Sequence, residues 1–521
     1  MSVSNGAATA SGAISNRVLS AWKAPAAFAA GAALNLAFAP YGWWPLAMLM
    51  PAALFALIHG VPARRAAWIG AAFATGLFSI GTYWLFTCIH KFGQAPVWLT
   101  LVLQTGLVAI MAVYSALLCW FANRFWLKPG PTRSWLVLPA LWVVLEWVRG
   151  WFLSGFPWLG LGYAFTDSPL AGWAPILGVY SLSGVGVVAA SALDSIWRRG
   201  APARQRAIAA GVIAVLFALP VIFDRFEFTH AAGGPIPVAI VQGAVPQDLK
   251  WQESNRDATV VKYSRLTAEE AWGARLIVWP EAALPMLAND LTDYLESLRA
   301  AGRRHNADFA IGLLRYEPDT DQYRNGLLVM SESGGGWYYK RRLVPFGEFF
   351  PVPKFVRSWM RLMSLPYTDM TPGDEHQPVL HAAGEALGLT ICYEDAYGSQ
   401  QLQVLHEATL LINVTNNAWY GDSSAPHQHF QISRMRAIEA GRYLLRAAND
   451  GITAVIGPHG EIVGRLPQFQ PGVLRADVQP RAGLTPYARF GNFPVLIWTA
   501  LSLTIAASRR RRGIGRPGNN R

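Results

Sequence analysis

Apolar residues crowd Ala24 to Phe223, thin out between Thr229 and Pro480, and return from Phe493 to Ala507. About 20 consecutive apolar residues cross a bilayer as a helix. The chain is therefore expected to divide into a membrane part, a water-exposed part of roughly 250 residues, and a terminal anchor. Composition points the same way, with 52% hydrophobic residues, 15% charged residues and 22 Trp. The mean hydropathy of +0.23 is high for a soluble enzyme.

The hydrophobic pattern predicts eight spans, at 24–39, 44–60, 66–89, 97–123, 134–153, 172–195, 206–223 and 492–508. Lysines and arginines set their orientation. One set of loops holds Arg17, Lys23, Arg64, Arg65, Arg124, Lys128, Arg133, Arg198, Arg199, Arg204, Arg206 and the C-terminal arginines. Across the short loops of the other side there is only Lys91. Both termini are thus expected in the cytoplasm and the polar part outside it, in the periplasm of a cell with two membranes. The resulting layout is a cytoplasmic N-terminus at 1–23, a seven-helix region at 24–228, a periplasmic domain at 229–485, a last helix at 486–508 and a basic tail at 509–521. The net charge of +12 reads as topology rather than as a footprint for nucleic acid.

Cys88 and Cys119 fall in apolar segments, which leaves Cys392 alone in the polar part. No disulfide can form within that domain, and no CxxC or Cys/His zinc spacing exists, so no metal is expected. His427 and His429 are read as ordering the loop after Asn417 and Trp419. Within the fifth span, Glu146 and Arg149 are either functional or a plain i,i+3 pair. The uncharged, aromatic loop FLSGFPWLGLGYAF that follows is expected to form a lipid-facing floor beneath an external site.

From Pro237 onward, short β-branched runs alternate with helical stretches, as in strands of sheets covered by helices. Three of these runs end on a reactive side chain: Glu281 after LIVWP, Lys340 in WYYKRR, and Cys392 after LGLTI. A thiol at its ordinary pKa is mostly protonated near neutrality, so a nucleophilic cysteine needs a base or a cation. Glu281 can take the proton, Lys340 can hold a thiolate or an oxyanion, and the Tyr393 N–H can add a second oxyanion donor. On the residues alone, a small buried Cys392 with solvated strand-end charges stays equally open.

The blocks VWPE, YYKRRLVPFGEF and ICYED resemble the signatures of the nitrilase superfamily. The longer stretches VQGAVPQDLKW, LVPFGEFFP, ICYEDAYG and NVTNNAWYGDSSAPHQHF, with eight spans around them, resemble its membrane branch, the apolipoprotein N-acyltransferases. The resemblance implies an α-helical membrane bundle carrying an α/β nitrilase-like α-β-β-α sandwich, with a Glu281, Lys340 and Cys392 triad and no cofactor. It also implies that Cys392 takes an acyl chain from a phospholipid, typically phosphatidylethanolamine, and passes it to the N-terminal amine of a diacylglyceryl-apolipoprotein. Glu348, Tyr393 and Glu394 match supporting positions, and Trp251 matches one near the lipid entrance. A monomer is expected.

Between Glu348 and Asp374 the apolar Phe349, Phe350, Trp359 and Met363 suggest a lid that admits acyl chains from the bilayer. The alternative is that they pack on the domain's own core. Rival readings of the whole chain are a membrane-tethered amidase with the same triad, a transporter with an accessory domain, and a non-catalytic lipoprotein-binding scaffold.

Overall fold

The structure, a computed structural model, describes residues 22–223, 225–345, 347–349 and 369–514. Of the residues assigned to lipid access, Phe350, Trp359 and Met363 lie outside the described residues. Each apolar stretch contains a helix: Lys23–Leu34, Leu46–Leu57, Ala63–Gly81, Val97–Phe125, Leu138–Arg149, Ala174–Trp197, Ala203–Phe223 and Phe493–Ile514. Among the described residues, three helical segments are long and apolar enough to cross a bilayer: Val97–Phe125, Pro169–Trp197 and Ala203–Phe223. The expectation of eight spans thus rests on length and composition in only three. Lys23–Leu34 and Leu46–Leu57 have 12 residues each, or about 18 Å of rise. The chain between them turns through Pro40, Gly42 and Pro45.

The helix Ala174–Trp197 breaks at Gly178, whose φ of +75° only glycine adopts readily. A Cβ there would also lie 2.2 Å from the Tyr487 ring. The break frees the Val179 N–H, which donates to Glu439 Oε1 at 2.7 Å. This joins the helical region to the helix Ala425–Ala440 of the following domain.

That domain holds two six-stranded sheets. The first has the order β13-β2-β3-β4-β5-β6: β2 (Ile236–Gln242), β3 (Leu276–Trp279), β4 (Asp308–Glu317), β5 (Gln322–Met330), β6 (Gly336–Tyr339) and β13 (Gly472–Val478). The second has the order β12-β11-β10-β9-β8-β7: β7 (Leu380–Ala382), β8 (Glu385–Ile391), β9 (Leu410–Thr415), β10 (Leu444–Ala448), β11 (Ala454–Ile456) and β12 (Ile462–Arg465). A short ribbon pairs β1 (Thr229–Ala231) with β14 (Arg481–Gly483) at the base.

Alternation along each strand explains the layering. Val238, Ile240, Leu276 and Val278 join Leu389, Ile391, Ile412 and Val414 in one core between the sheets. Their neighbours Ala239, Val241, Ile277 and Trp279 face the other way, onto Tyr263 and Leu266 of the helix Arg256–Leu266 and Leu295 and Leu298 of Thr292–His305. On the second sheet, Leu411, Leu444, Ala454 and Ile456 pack with Phe430 and Ala437 of Ala425–Ala440. Buried on both faces, such strands read as continuous apolar runs, and the result is an α-β-β-α sandwich.

Candidate active site

Glu281, Lys340 and Cys392 each stand one or two residues past a strand: β3, β6 and β8 respectively. All three are buried, with exposures of 6%, 2% and 6%. The Lys340 Nζ donates to Glu281 Oε1 at 3.0 Å and to Glu348 Oε1 at 2.8 Å. Burial alone would lower its pKa, but the Glu281 and Glu348 carboxylates hold it well above the ordinary lysine value. Burial would likewise raise Glu281, but Lys340 and hydrogen bonds from Asn325 and the Asn416 N–H keep it below the ordinary carboxylate value. The pair is therefore an ammonium and a carboxylate at neutral pH.

Cys392 occupies the left-handed region with φ +53° and starts the short helix Cys392–Ala396. Burial, and after it the charge of Glu281, pushes the thiol up to about 12, against the opposing pull of Lys340 and a hydrogen bond from Thr415. At rest the sulfur is protonated, so attack requires a proton acceptor, and Glu281 is the carboxylate beside it.

Glu394 has no solvent exposure. Its Oε2 accepts from the Ile391 N–H at 2.7 Å and from Tyr338 Oη at 3.0 Å, and its Oε1 accepts from the Arg341 and Arg342 N–H groups. It thereby ties the chain just after Lys340 to the turn that carries Cys392. Glu348 reaches the cluster directly, and its Oε2 accepts from the Val344 N–H at 2.8 Å. Tyr393 stacks on Trp158, with ring centroids 6.1 Å apart and planes at 27°.

The structure adds Asn325, which the sequence reading did not single out. Its Nδ2 donates to Glu281 Oε1 at 2.8 Å and to Glu348 Oε1 at 3.0 Å. The only signal was an asparagine at the start of the apolar run within the strand QYRNGLLVM. The loop after Arg149 also differs from the expectation. Trp151, Phe152 and Leu153 are exposed, but Trp158, Leu159, Leu161, Tyr163 and Phe165 are buried, so most of it packs under the Cys392 turn instead of facing lipid.

Glu146 and Arg149 stand 4.0 Å apart and mainly brace that loop. Glu146 Oε2 accepts from the Leu161 N–H, while Arg149 Nη1 donates to the carbonyls of Phe156 and Trp158. The Gln428 Oε1 accepts both the Trp158 and Trp84 indole N–H groups, at 2.7 and 3.2 Å.

Trp251 is 44% exposed beside the buried Lys250, whose Nζ lies 3.5 Å from the Glu281 carbonyl oxygen. Phe349 is half-buried, with a bridge between Pro345 and Phe349. His429 is fully buried against Asn417, Asp395 and the Cys392 carbonyl. No group of three or more His, Cys, Asp or Glu side chains placed to hold a metal occurs among the described residues.

The two-sheet sandwich with a thiol, a carboxylate and an ammonium at its strand ends defines a carbon–nitrogen hydrolase domain, and residues 237–487 match the model of the carbon-nitrogen hydrolase family. Residues 30–192 match the apolipoprotein N-acyltransferase N-terminal domain. The chain belongs to the apolipoprotein N-acyltransferase family. It is 39% identical to the apolipoprotein N-acyltransferase of Methylococcus capsulatus over 93% of this chain and 96% of that one. The Vibrio vulnificus relative is 38% identical over 92% and 96% of the two chains, and that of Azotobacter vinelandii 39% over 94% and 96%.

Proposed function

We propose that this protein is a membrane acyltransferase that moves an acyl chain from a phospholipid to the N-terminal amine of diacylglyceryl-apolipoproteins, through a thioester on Cys392. The observation that carries the reading is Lys340, clamped between Glu281 and Glu348 within electrostatic reach of the Cys392 sulfur. The Cys392 thiol attacks the donor ester carbonyl while its proton passes to Glu281. Lys340 and the Tyr393 N–H hold the oxyanion. As the C–O bond breaks, Glu281 returns the proton to the leaving oxygen and a lysophospholipid departs. The acceptor amine then attacks the thioester, Glu281 takes its proton, and the thiol is regenerated.

The preferred donor is phosphatidylethanolamine, and the enzyme acts as a monomer. Glu348 and Glu394 hold Lys340 and the nucleophile turn in register. Trp251 and Phe349, with Phe350, Trp359 and Met363, serve acyl-chain access. The catalytic domain, 229–485, faces the periplasm between seven preceding helices and a last one, with both termini cytoplasmic.

Intact-mass analysis after incubation with phospholipid alone tests the reading. Cys392 is expected to gain one acyl chain and to lose it on addition of a diacylglyceryl-peptide amine. A protein that never carries the acyl group on Cys392, or that passes it only to water, would overturn the assignment.

A further inference from the structure

Beside the catalytic cluster stands a buried cation that the acyl-transfer steps do not use. Pro246 opens a single helical turn, Gln247–Lys250. Residues three apart share one face of a helix. Here Gln247 and Lys250 are buried, Lys250 fully, while Leu249 and the following Trp251 are exposed. The outer face of the turn is thus apolar, and its inner face meets Glu281.

Both inward side chains reach that residue. Gln247 Oε1 accepts from Asn416 Nδ2 at 3.0 Å, and the Asn416 N–H donates to Glu281 Oε2 at 2.8 Å. Lys250 Nζ donates to the Glu281 carbonyl oxygen at 3.5 Å. The carbonyl belongs to a constrained turn: Ala282 has a left-handed φ of +43°, and the Ala283 N–H donates to the Gly312 carbonyl at 2.8 Å. A Cβ on Gly312 would lie 2.6 Å from Glu281 Cα. Strand β4 therefore presses on this turn, and Lys250 holds its carbonyl.

The ammonium has few other partners. Among the described residues no carboxylate oxygen comes within 4.0 Å of Lys250 Nζ. The Trp251 ring centroid is 5.9 Å away, and the buried Asp450, whose Oδ1 has no hydrogen-bond partner, acts on it only across space. Burial pulls Lys250 down to about 8 against the upward pull of Glu281 and Asp450, so it is still an ammonium at neutral pH. Burying a charge without a counter-ion in contact is unfavourable, and a methionine would fill similar space without it. A residue kept against stability points to a use for its charge.

The Glu281 carboxylate is on the same residue as the carbonyl that Lys250 holds, which places it farther than 4.0 Å but no farther than about 10 Å from Nζ. Even at the far end of that range a unit charge is worth about one pKa unit at an effective dielectric constant of about 20. We propose that Lys250 is a positioning residue for the general base: its ammonium anchors the Glu281 turn, and its charge keeps the Glu281 carboxylate ready to accept the Cys392 proton. The proposal deepens the reading of Glu281 as base and rests on it. Glu281 is also faced by Lys340, Glu348, the Cys392 thiol and Tyr420, and Lys250 by Asp450, on which Tyr263 borders.

The test reads the rate at which iodoacetamide alkylates Cys392 as a function of pH, located by peptide mass, in full-length protein in micelles. The thiol passes its proton to Glu281, the sulfur attacks the methylene carbon and iodide leaves. The rate therefore falls as pH drops through the Glu281 pKa, whether or not the protein transfers acyl chains. Glu281→Gln should remove that acid limb. Lys250→Met should move it to higher pH by about one unit, a tenfold change in proton concentration at the midpoint, since loss of a cation favours the neutral carboxyl. Lys250→Arg keeps the charge and should move it far less. The Lys250→Met shift should persist in an Asp450→Asn background, where residue 450 cannot titrate. An unmoved limb in Lys250→Met, an arginine shift as large as the methionine one, or a shift that vanishes with Asp450→Asn would each overturn the proposal and leave Glu281 as base. A limb that survives Glu281→Gln would overturn the base reading and the proposal with it. Lys250→Gln, also neutral, gives the same reading if the methionine variant does not fold.

Discussion

Trp158, from the loop after Arg149, stacks on Tyr393, the residue that follows the nucleophile, and is only 1% exposed. Through its indole N–H on Gln428 it also shares an acceptor with Trp84, beyond the end of the helix Ala63–Gly81. The helical region and the nucleophile turn are thus packed through one aromatic side chain. Trp158→Ala should lower stability by about 3 kcal/mol, as for other buried aromatics, and slow acylation of Cys392. Trp158→Phe, which keeps the ring but loses the donor, should cost about 1 kcal/mol. Thermal unfolding in micelles checks both, and an alanine variant that melts with the wild type would refute the coupling.

Glu394 accepts from three backbone N–H groups and one phenol. A glutamine must turn its NH2 toward one pair of these donors, which leaves buried groups facing each other unpaired. Glu394→Gln should therefore lose about 2 kcal/mol of stability. Acyl-Cys392 formation should fall at least about tenfold, because Lys340 and Cys392 lose their common brace. Single-turnover acylation measured by mass separates this from lost folding. A folded variant with a wild-type rate would show that Glu394 has no part in the register.

Lys340 and Glu281 give a pH prediction with a definite sign. In the wild type Glu281 is held below its ordinary value, so the stability it contributes is present above the ordinary carboxylate range. It is lost only as pH falls through its depressed folded value. Burial is the largest influence on Glu281 and acts upward, so removing Lys340 reverses the shift. Lys340→Gln should be about 3 kcal/mol less stable near neutrality, as when one partner of a buried pair is removed. It should recover stability as pH falls toward 5, because the folded state now binds the extra proton. Melting curves at pH 8 and pH 5, each taken relative to wild type, test the sign. A variant deficit that grows on acidification would contradict it.

Local blocks made part of this site legible. Glu281, Lys340 and Cys392 each end an apolar strand within a few residues of chain, so their burial and exposure pattern is written nearby. Asn325 was not legible, because its role depends on β5 lying between β4 and β6 and carrying one amide to two carboxylates. Asp395 and His429 are 34 residues apart and meet only because the helix Ala425–Ala440, which carries His429, packs on the turn Cys392–Ala396. Trp158 and Tyr393 are still farther apart in sequence. In the helical region, hydropathy marked where helices form but not how long they run. The break at Gly178 interrupts a stretch that composition alone joins. The sandwich was easier, since continuous apolar strands alternating with helical segments have few other ways to bury both faces.

Cys392 itself carries the last prediction. Its φ of +53° lies in the left-handed region, where a side chain costs about 1 kcal/mol or more and glycine costs little. The turn keeps that conformation because Asn413 and His429 both donate to the Cys392 carbonyl, at 3.3 and 3.1 Å, and the Glu394 carboxylate caps the Ile391 N–H just before it. Replacing the CH2SH side chain with hydrogen or with methyl should abolish acyl transfer equally. The two variants should differ in stability, with Cys392→Gly about 1 kcal/mol more stable than Cys392→Ala, since only alanine retains the Cβ that the left-handed backbone disfavours. Paired thermal melts of the two inactive proteins measure that difference. If alanine proved the more stable, the left-handed turn would not be a source of strain, and the nucleophile's position would have to be explained by packing alone.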